Sequence, residues 1–133
     1  MKKLILVILS FLIIHEPTSA LIEVDITRGN LDPLPIAVSS LHLESGSKDI
    51  KQGEKIIKNI GEEISKVIET NLKRSGLFNP LKKDSFVQNP DIAHVKPRFE
   101  DWRLIKAQAL VTGKVTVSDD KLRAEFRLWD TVA

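Results

Sequence analysis

Few of the side chains that carry chemistry in proteins stand here at spacings that would let them act. The chain holds three histidines and no cysteine. That removes a disulfide framework, a thiolate metal site and a cysteine nucleophile. His42 and His94 are single and far apart in sequence, and neither has a second ligand at metal-binding spacing. There is no G-x-S-x-G, no phosphate-cradling glycine loop and no zinc-helix motif. Glu62-Glu63 and Asp119-Asp120 are adjacent carboxylates. Paired acid–base work needs two carboxyl groups about 5–10 Å apart around a substrate. Neighbours on a helix point in different directions, and neighbouring acids in a turn face water. Lys82-Lys83 is too short a run for a nucleic-acid patch. Trp102 and Trp129 could stack on a ligand, but beside core positions they read as packing. No catalytic residue, metal or cofactor is expected.

One segment keeps a functional reading. Ile22, Val24 and Ile26 alternate with Glu23, Asp25 and Thr27. Period-two alternation marks a strand with one apolar face. Arg28 to Pro33 then punctuates the chain as a Gly/Asn/Asp/Pro linker. Two readings stand side by side. One is an ordinary edge strand. The other is a detachable strand that adds to the sheet edge of a partner, with backbone hydrogen bonds giving affinity and alternate side chains giving specificity.

Residues 1–20 have the order of a secretory signal peptide. Lys2-Lys3 precedes an 11-residue apolar run from Leu4 to Ile14, then Pro17 and a small-residue exit at Ala20. A bilayer span needs roughly 20 residues, so no stable membrane anchor is expected. Cleavage after Ala20 makes Leu21 the mature N-terminus of a 113-residue chain. Loss of Lys2, Lys3 and Glu16 leaves 18 basic and 17 acidic residues. So balanced a chain has no general pull toward nucleic acid or anionic membrane. An exported chain is also unsuited to most nucleotide-dependent functions.

The remaining residues predict one α/β domain. Pro35 to Leu41 reads as a short buried central strand. His42 to Gly53 is polar and reads as a loop. Ile56, Ile57, Ile60, Ile64, Val67, Ile68 and Leu72 recur three and four apart, so they form a helical stripe, firm over Ile60 to Arg74. Lys73 and Arg74 suit the negative end of that helix, and Gly76 suits a left-handed cap. Leu77-Phe78 starts a short element, and Leu81 to Pro97 is mostly loop. Phe99 to Lys106 reads as a short helix with Trp102 and Ile105 on one face. Ala109–Val117 and Leu122–Trp129 read as an antiparallel hairpin around Ser118–Lys121. The expected core is Ile36, Ile60, Ile64, Val67, Leu72, Val111 and Phe126. With no helix after the hairpin, one apolar sheet face is expected to lie uncovered, as in a domain cut short.

Four blocks, in order, resemble the N-terminal domain of the TolB family. They are Pro35-Ile36-Ala37-Val38; Asn71 to Leu81 with its Ser75-Gly76-Leu77-Phe78-Asn79-Pro80 helix exit; Trp102 leading to Leu110-Val111-Thr112-Gly113-Lys114-Val115; and Phe126-Arg127-Leu128-Trp129-Asp130-Thr131. The resemblance implies a mixed, roughly five-stranded sheet packed with two main helices, like anticodon-binding domains, without implying tRNA binding. It implies that the C-terminal strand and helix of that domain, and the β-propeller that binds Pal, are missing. The resulting organisation is a signal peptide at 1–20, a partner-binding segment and linker at 21–34, and the α/β domain at 35–133.

The function so implied is that of a non-enzymatic periplasmic adaptor of the Tol–Pal envelope-integrity system. That system serves protein transport and outer-membrane constriction at division. Its TolA-like inner-membrane partner would be met by Ile22, Glu23, Val24, Asp25, Ile26 and Thr27, while Pal binding is not expected. The alternatives are a small secreted α/β hydrolase, which a convergent cluster of His94 with acids would favour, and another envelope assembly factor.

Overall fold

The computed structural model describes residues 32–119 and 121–133. The expected signal peptide and the alternating segment at 22–27 lie outside these residues. Strand β1 (Leu34–Val38) runs parallel to β5 (Phe78–Pro80) on one side and to β6 (Ala109–Ser118) on the other. Ile36, Ala37 and Val38 are accordingly buried on both faces, as a near-continuous apolar run in a parallel sheet must be. β2 (His42–Ser45) runs parallel to the far half of β6. The whole opposite edge of β6 is taken by β7 (Lys121–Asp130), antiparallel over ten pairs. β1 and β2 therefore follow one another along the same edge of β6. The sheet is mixed and five-stranded.

Helix α1 (Ile60–Arg74) lies on one face. Its Ile68 and Leu72 pack on Ile36, Val38, Ala109 and Val111, while Ile60 and Ile64 pack with Leu41 and Val115. Gly61 is an approach point rather than a weakness. A Cβ there would lie 2.1 Å from the Leu41 carbonyl oxygen, and the Gly61 carbonyl accepts from the Leu41 N–H at 3.1 Å. Past the helix end, Gly76 takes the left-handed conformation at φ 74°.

The other face is covered by shorter pieces: α2 (Pro90–Ala93) and α3 (Phe99–Leu104). Trp102 of α3 is 1% exposed and packs on Ala37, Ala93, Ala107 and Leu110, with Phe86 edge-on at 5.1 Å. Gln88 holds this layer together. Its Oε1 accepts from Trp102 Nε1 at 3.1 Å and from the Arg98 N–H at 2.9 Å, and its Nε2 donates to the Lys96 carbonyl at 2.9 Å.

Three expectations are corrected. His42 to Gly53 is not a loop: it holds β2 and β3 (Ile50–Gln52), the latter pairing antiparallel with β4 (Lys55–Ile57). Ile56 and Ile57 thus belong to that hairpin, not to the helix. Val67 and Phe126 are not core, being 60% and 62% exposed. Phe126 stands opposite Gly113 and Leu128 opposite Val111, so both point to the α1 side of the sheet. There α1 reaches over β1 and β6 but leaves them uncovered.

Candidate functional site

The residues with a predicted binding role, Ile22 to Thr27, lie outside the described residues, but their attachment point is defined. Asp32 and Pro33 are exposed, and the Leu34 N–H donates to the Leu77 carbonyl at 2.9 Å as β1 begins. Proline fixes its own φ and biases the preceding Asp32 toward extended backbone. Thr27 is seven residues before Leu34. An extended chain spans at most about 3.3–3.6 Å per residue, so the segment can reach roughly 25 Å from the sheet. Its anchor is the central strand, hydrogen-bonded on both sides, so a pull on the segment is resisted at the core.

The fold also gathers polar residues that sequence spacing kept apart. His42 of β2 and His94, which follows α2, stack with ring centres 4.4 Å apart and planes within 10°. His42 Nδ1 lies 2.6 Å from Asp91 Oδ1. Nearby, a cavity of about 380 Å³ is lined by Glu44, His94, Lys114, Glu125 and Arg127 among others. Lys114 Nζ bonds Glu44 Oε1 at 2.8 Å and lies 3.6 Å from Glu125 Oε2. Its hydrogen bond holds the Glu44 carboxyl below the ordinary carboxylate range and raises Lys114 in turn. Spacing gave no signal of this cluster; His42 and Asp91 are 49 residues apart.

The cluster meets the condition set for the hydrolase alternative only in outline. An imidazole held by a carboxylate is the base-and-orienter pair of nucleophilic catalysis, which needs a hydroxyl or thiol on the other ring nitrogen and a buried acid. Among the described residues neither ring bonds a hydroxyl, and the Asp91 side chain is 64% exposed. Glu44 and Glu125 are engaged by Lys114 and, for Glu125, by Arg123 at 3.1 Å. Among the described residues no group of three or more His, Asp or Glu side chains is placed to hold a metal ion. The arrangement ties β2 to α2. Among them too, no helix is long and apolar enough to cross a membrane.

The chain has clear relatives. The sequence profile of the TolB amino-terminal domain matches residues 22–133. The Tol-Pal system protein TolB of Pelagibacter ubique is 63% identical over 125 residues, covering 92% of this chain and 28% of that protein. The chain thus spans under a third of the length of this relative. Among solved structures, TolB from Acinetobacter baumannii superposes with a TM-score of 0.51 at 20% identity, over 75% of this chain and 20% of that one. At that identity the likeness speaks for the fold alone, and the fold is the mixed α/β domain described above.

Proposed function

This chain belongs to the TolB amino-terminal domain family, and from that premise we propose that it acts as a non-enzymatic adaptor of the Tol–Pal envelope system. In this reading it is exported to the periplasm and grips a TolA-like inner-membrane partner through Ile22 to Thr27. The observation that carries the reading is the family match together with 63% identity to a protein named for the Tol–Pal system. The match begins at residue 22, so the proposed binding segment falls inside it. Alternation of Ile22, Val24 and Ile26 supports strand addition to the partner's sheet. Roles in protein transport and in constriction at division would follow from that partnership. Pal binding is not assigned to these residues.

Pull-down against the C-terminal domain of a TolA-like partner tests the reading, using exported chain whose N-terminal sequence should begin at Leu21. Proline at Val24 or Asp25 removes a backbone donor, and at one of the two that donor should be a ladder bond. Val24→Asp puts a charge on the apolar face and should abolish capture. Because β1 begins at Leu34, these changes should leave the unfolding transition of the domain in place. Undiminished capture after deletion of residues 21–28 would overturn the assignment.

A further inference from the structure

β2 and α2 meet through two imidazoles whose proton positions follow from their partners. His42 Nδ1 lies 2.6 Å from Asp91 Oδ1, and His94 Nδ1 lies 3.3 Å from the Pro90 carbonyl oxygen. An ionised carboxylate and a carbonyl only accept, so each ring carries a proton on Nδ1 and keeps Nε2 as its basic nitrogen. The rings lie face to face, with centres 4.4 Å apart and planes within 10°. Two neutral rings, or one neutral and one charged, tolerate this stack. Two charged rings at that distance repel, and the His42 side chain is only 27% exposed, so water screens them in part. Imidazole is the side chain whose charge ordinarily changes between pH 5 and 8.

We propose that the stacked pair is an acid-released latch, closed while at most one ring is charged and opened when both are, which frees residues 94 and 95 from β2. The surrounding charges do not undo this. Glu44 of β2, Lys114 of β6, and Glu125 and Arg127 of β7 line the cavity beside His94. They are two of each sign, with Lys114 held between the two carboxylates, so their fields largely cancel. Among the described residues Asp91 is left to offset the second charge, and at 64% exposed it does so weakly. The part that opens is bounded on both sides. Ala93 is 0% exposed and packs with Trp102, and Gln88 Nε2 holds the Lys96 carbonyl. Between these anchors the His94 N–H donates to the Pro90 carbonyl at 3.3 Å and the Val95 N–H to the Ile92 carbonyl at 3.1 Å. His94 and Val95 both wall the cavity, so their release in acid opens that wall.

Hydrogen exchange of the His94 and Val95 amides in the full chain, corrected for the intrinsic effect of pH, reads the opening. Between pH 7.5 and 5 the opening constant should rise about five- to tenfold, the size that a second unit charge at 4.4 Å gives in a setting between protein surface and water. The Ala93 amide, bonded to the Asn89 carbonyl, is the internal reference and should not follow. His94→Phe keeps a stacking ring without a charge and should give a flat profile. His42→Phe removes the other charge and should do the same, so the test survives if one variant does not fold. Asp91→Asn removes the offset and should steepen the rise. Melting curves at pH 7.5 identify the folded variants. A flat profile in the parent, a rise that persists in either phenylalanine variant, or a shallower rise in Asp91→Asn would overturn the proposal.

Discussion

Gln88→Leu is the sharpest test of how the second layer is held. Gln88 is 4% exposed and serves three partners at once. Leucine is of similar size, so the change removes hydrogen bonds with little change in volume. The three losses are unequal. Trp102 is 1% exposed, so its indole N–H is left buried and unpaired, at about 1–3 kcal/mol. Arg98 and Lys96 are exposed residues whose backbone groups can turn to water, so each forfeits only about 0.5–1.5 kcal/mol. The sum is about 2–6 kcal/mol, a large share of the roughly 5–15 kcal/mol of a typical domain. Urea unfolding followed by tryptophan fluorescence reads it directly. With a slope of about 1–3 kcal/mol per molar, the midpoint should fall by at least about 0.7 M. A cycle with Trp102→Phe isolates the Gln88–Trp102 bond, because the packing lost with the indole cancels. The coupling should be about 1 kcal/mol. Additivity, or a Gln88→Leu midpoint within error of the parent, would refute the claim that this glutamine bonds the indole.

Two further outcomes follow from local geometry. Helix propensity alone says Gly61→Ala should stabilise α1 by about 1 kcal/mol, but its Cβ would meet the Leu41 carbonyl at 2.1 Å. The variant should therefore melt lower, by about 1–3 kcal/mol, and a raised melting temperature would show that α1 does not sit so close to Leu41. Glu44 is depressed by its bond from Lys114, and Glu62 by its bond from Lys66. A depressed carboxyl gives stability that is present above its unfolded value and lost as pH falls through the folded one. Lys114 and Lys66 are raised, so their share is present below the ordinary lysine value and lost as pH rises through the folded one. Urea midpoints should thus form a plateau between the carboxylate and lysine ranges, and Glu44→Gln should flatten the acid limb; an unchanged acid limb would count against the Glu44–Lys114 bond.

What sequence could reveal divides along physical lines. β1, α1 and the β6–β7 hairpin stand out because each has one dominant period: a continuous apolar run, a three-and-four stripe, or alternation. The helix bounds, Ile60 to Arg74, follow from that stripe and the Ser75-Gly76 stop. β2 and β3 give no strand signal because they are three or four residues long and mostly polar, and in β4, also three residues long, Ile56 and Ile57 fit the spacing of the helix that follows. They are strands by virtue of what lies beside them, and pairing is non-local. Val67 and Phe126 failed as core residues for a different reason. Periodicity tells which side chains share a face; it does not tell whether anything covers that face. The His42–Asp91–His94 cluster is the same problem in polar form, since it exists only where β2 meets α2.

The buried polar side chains bear on where function can sit. Ser39, Ser65, Gln88, Thr112 and Thr131 are the buried polar residues among those described. Each is engaged inside the fold. Ser39 donates to the Ser40 carbonyl, and Ser65 donates to the Glu62 carbonyl and receives Lys83 Nζ at 2.6 Å. Thr112 accepts the Trp129 indole N–H at 2.8 Å, and Thr131 donates to the Ala107 carbonyl at 2.5 Å. A buried hydroxyl or amide with a partner is structural material, and removing it leaves an orphaned group rather than a lost reaction. Its polar interior is thus committed to holding two thin layers on a small sheet. In the proposed reading, what the domain offers a partner is the chain that enters ahead of β1, and its specificity would rest on the alternate side chains Ile22, Val24 and Ile26. Substitutions that leave the core untouched should therefore alter partnership, and core substitutions should alter it only through stability.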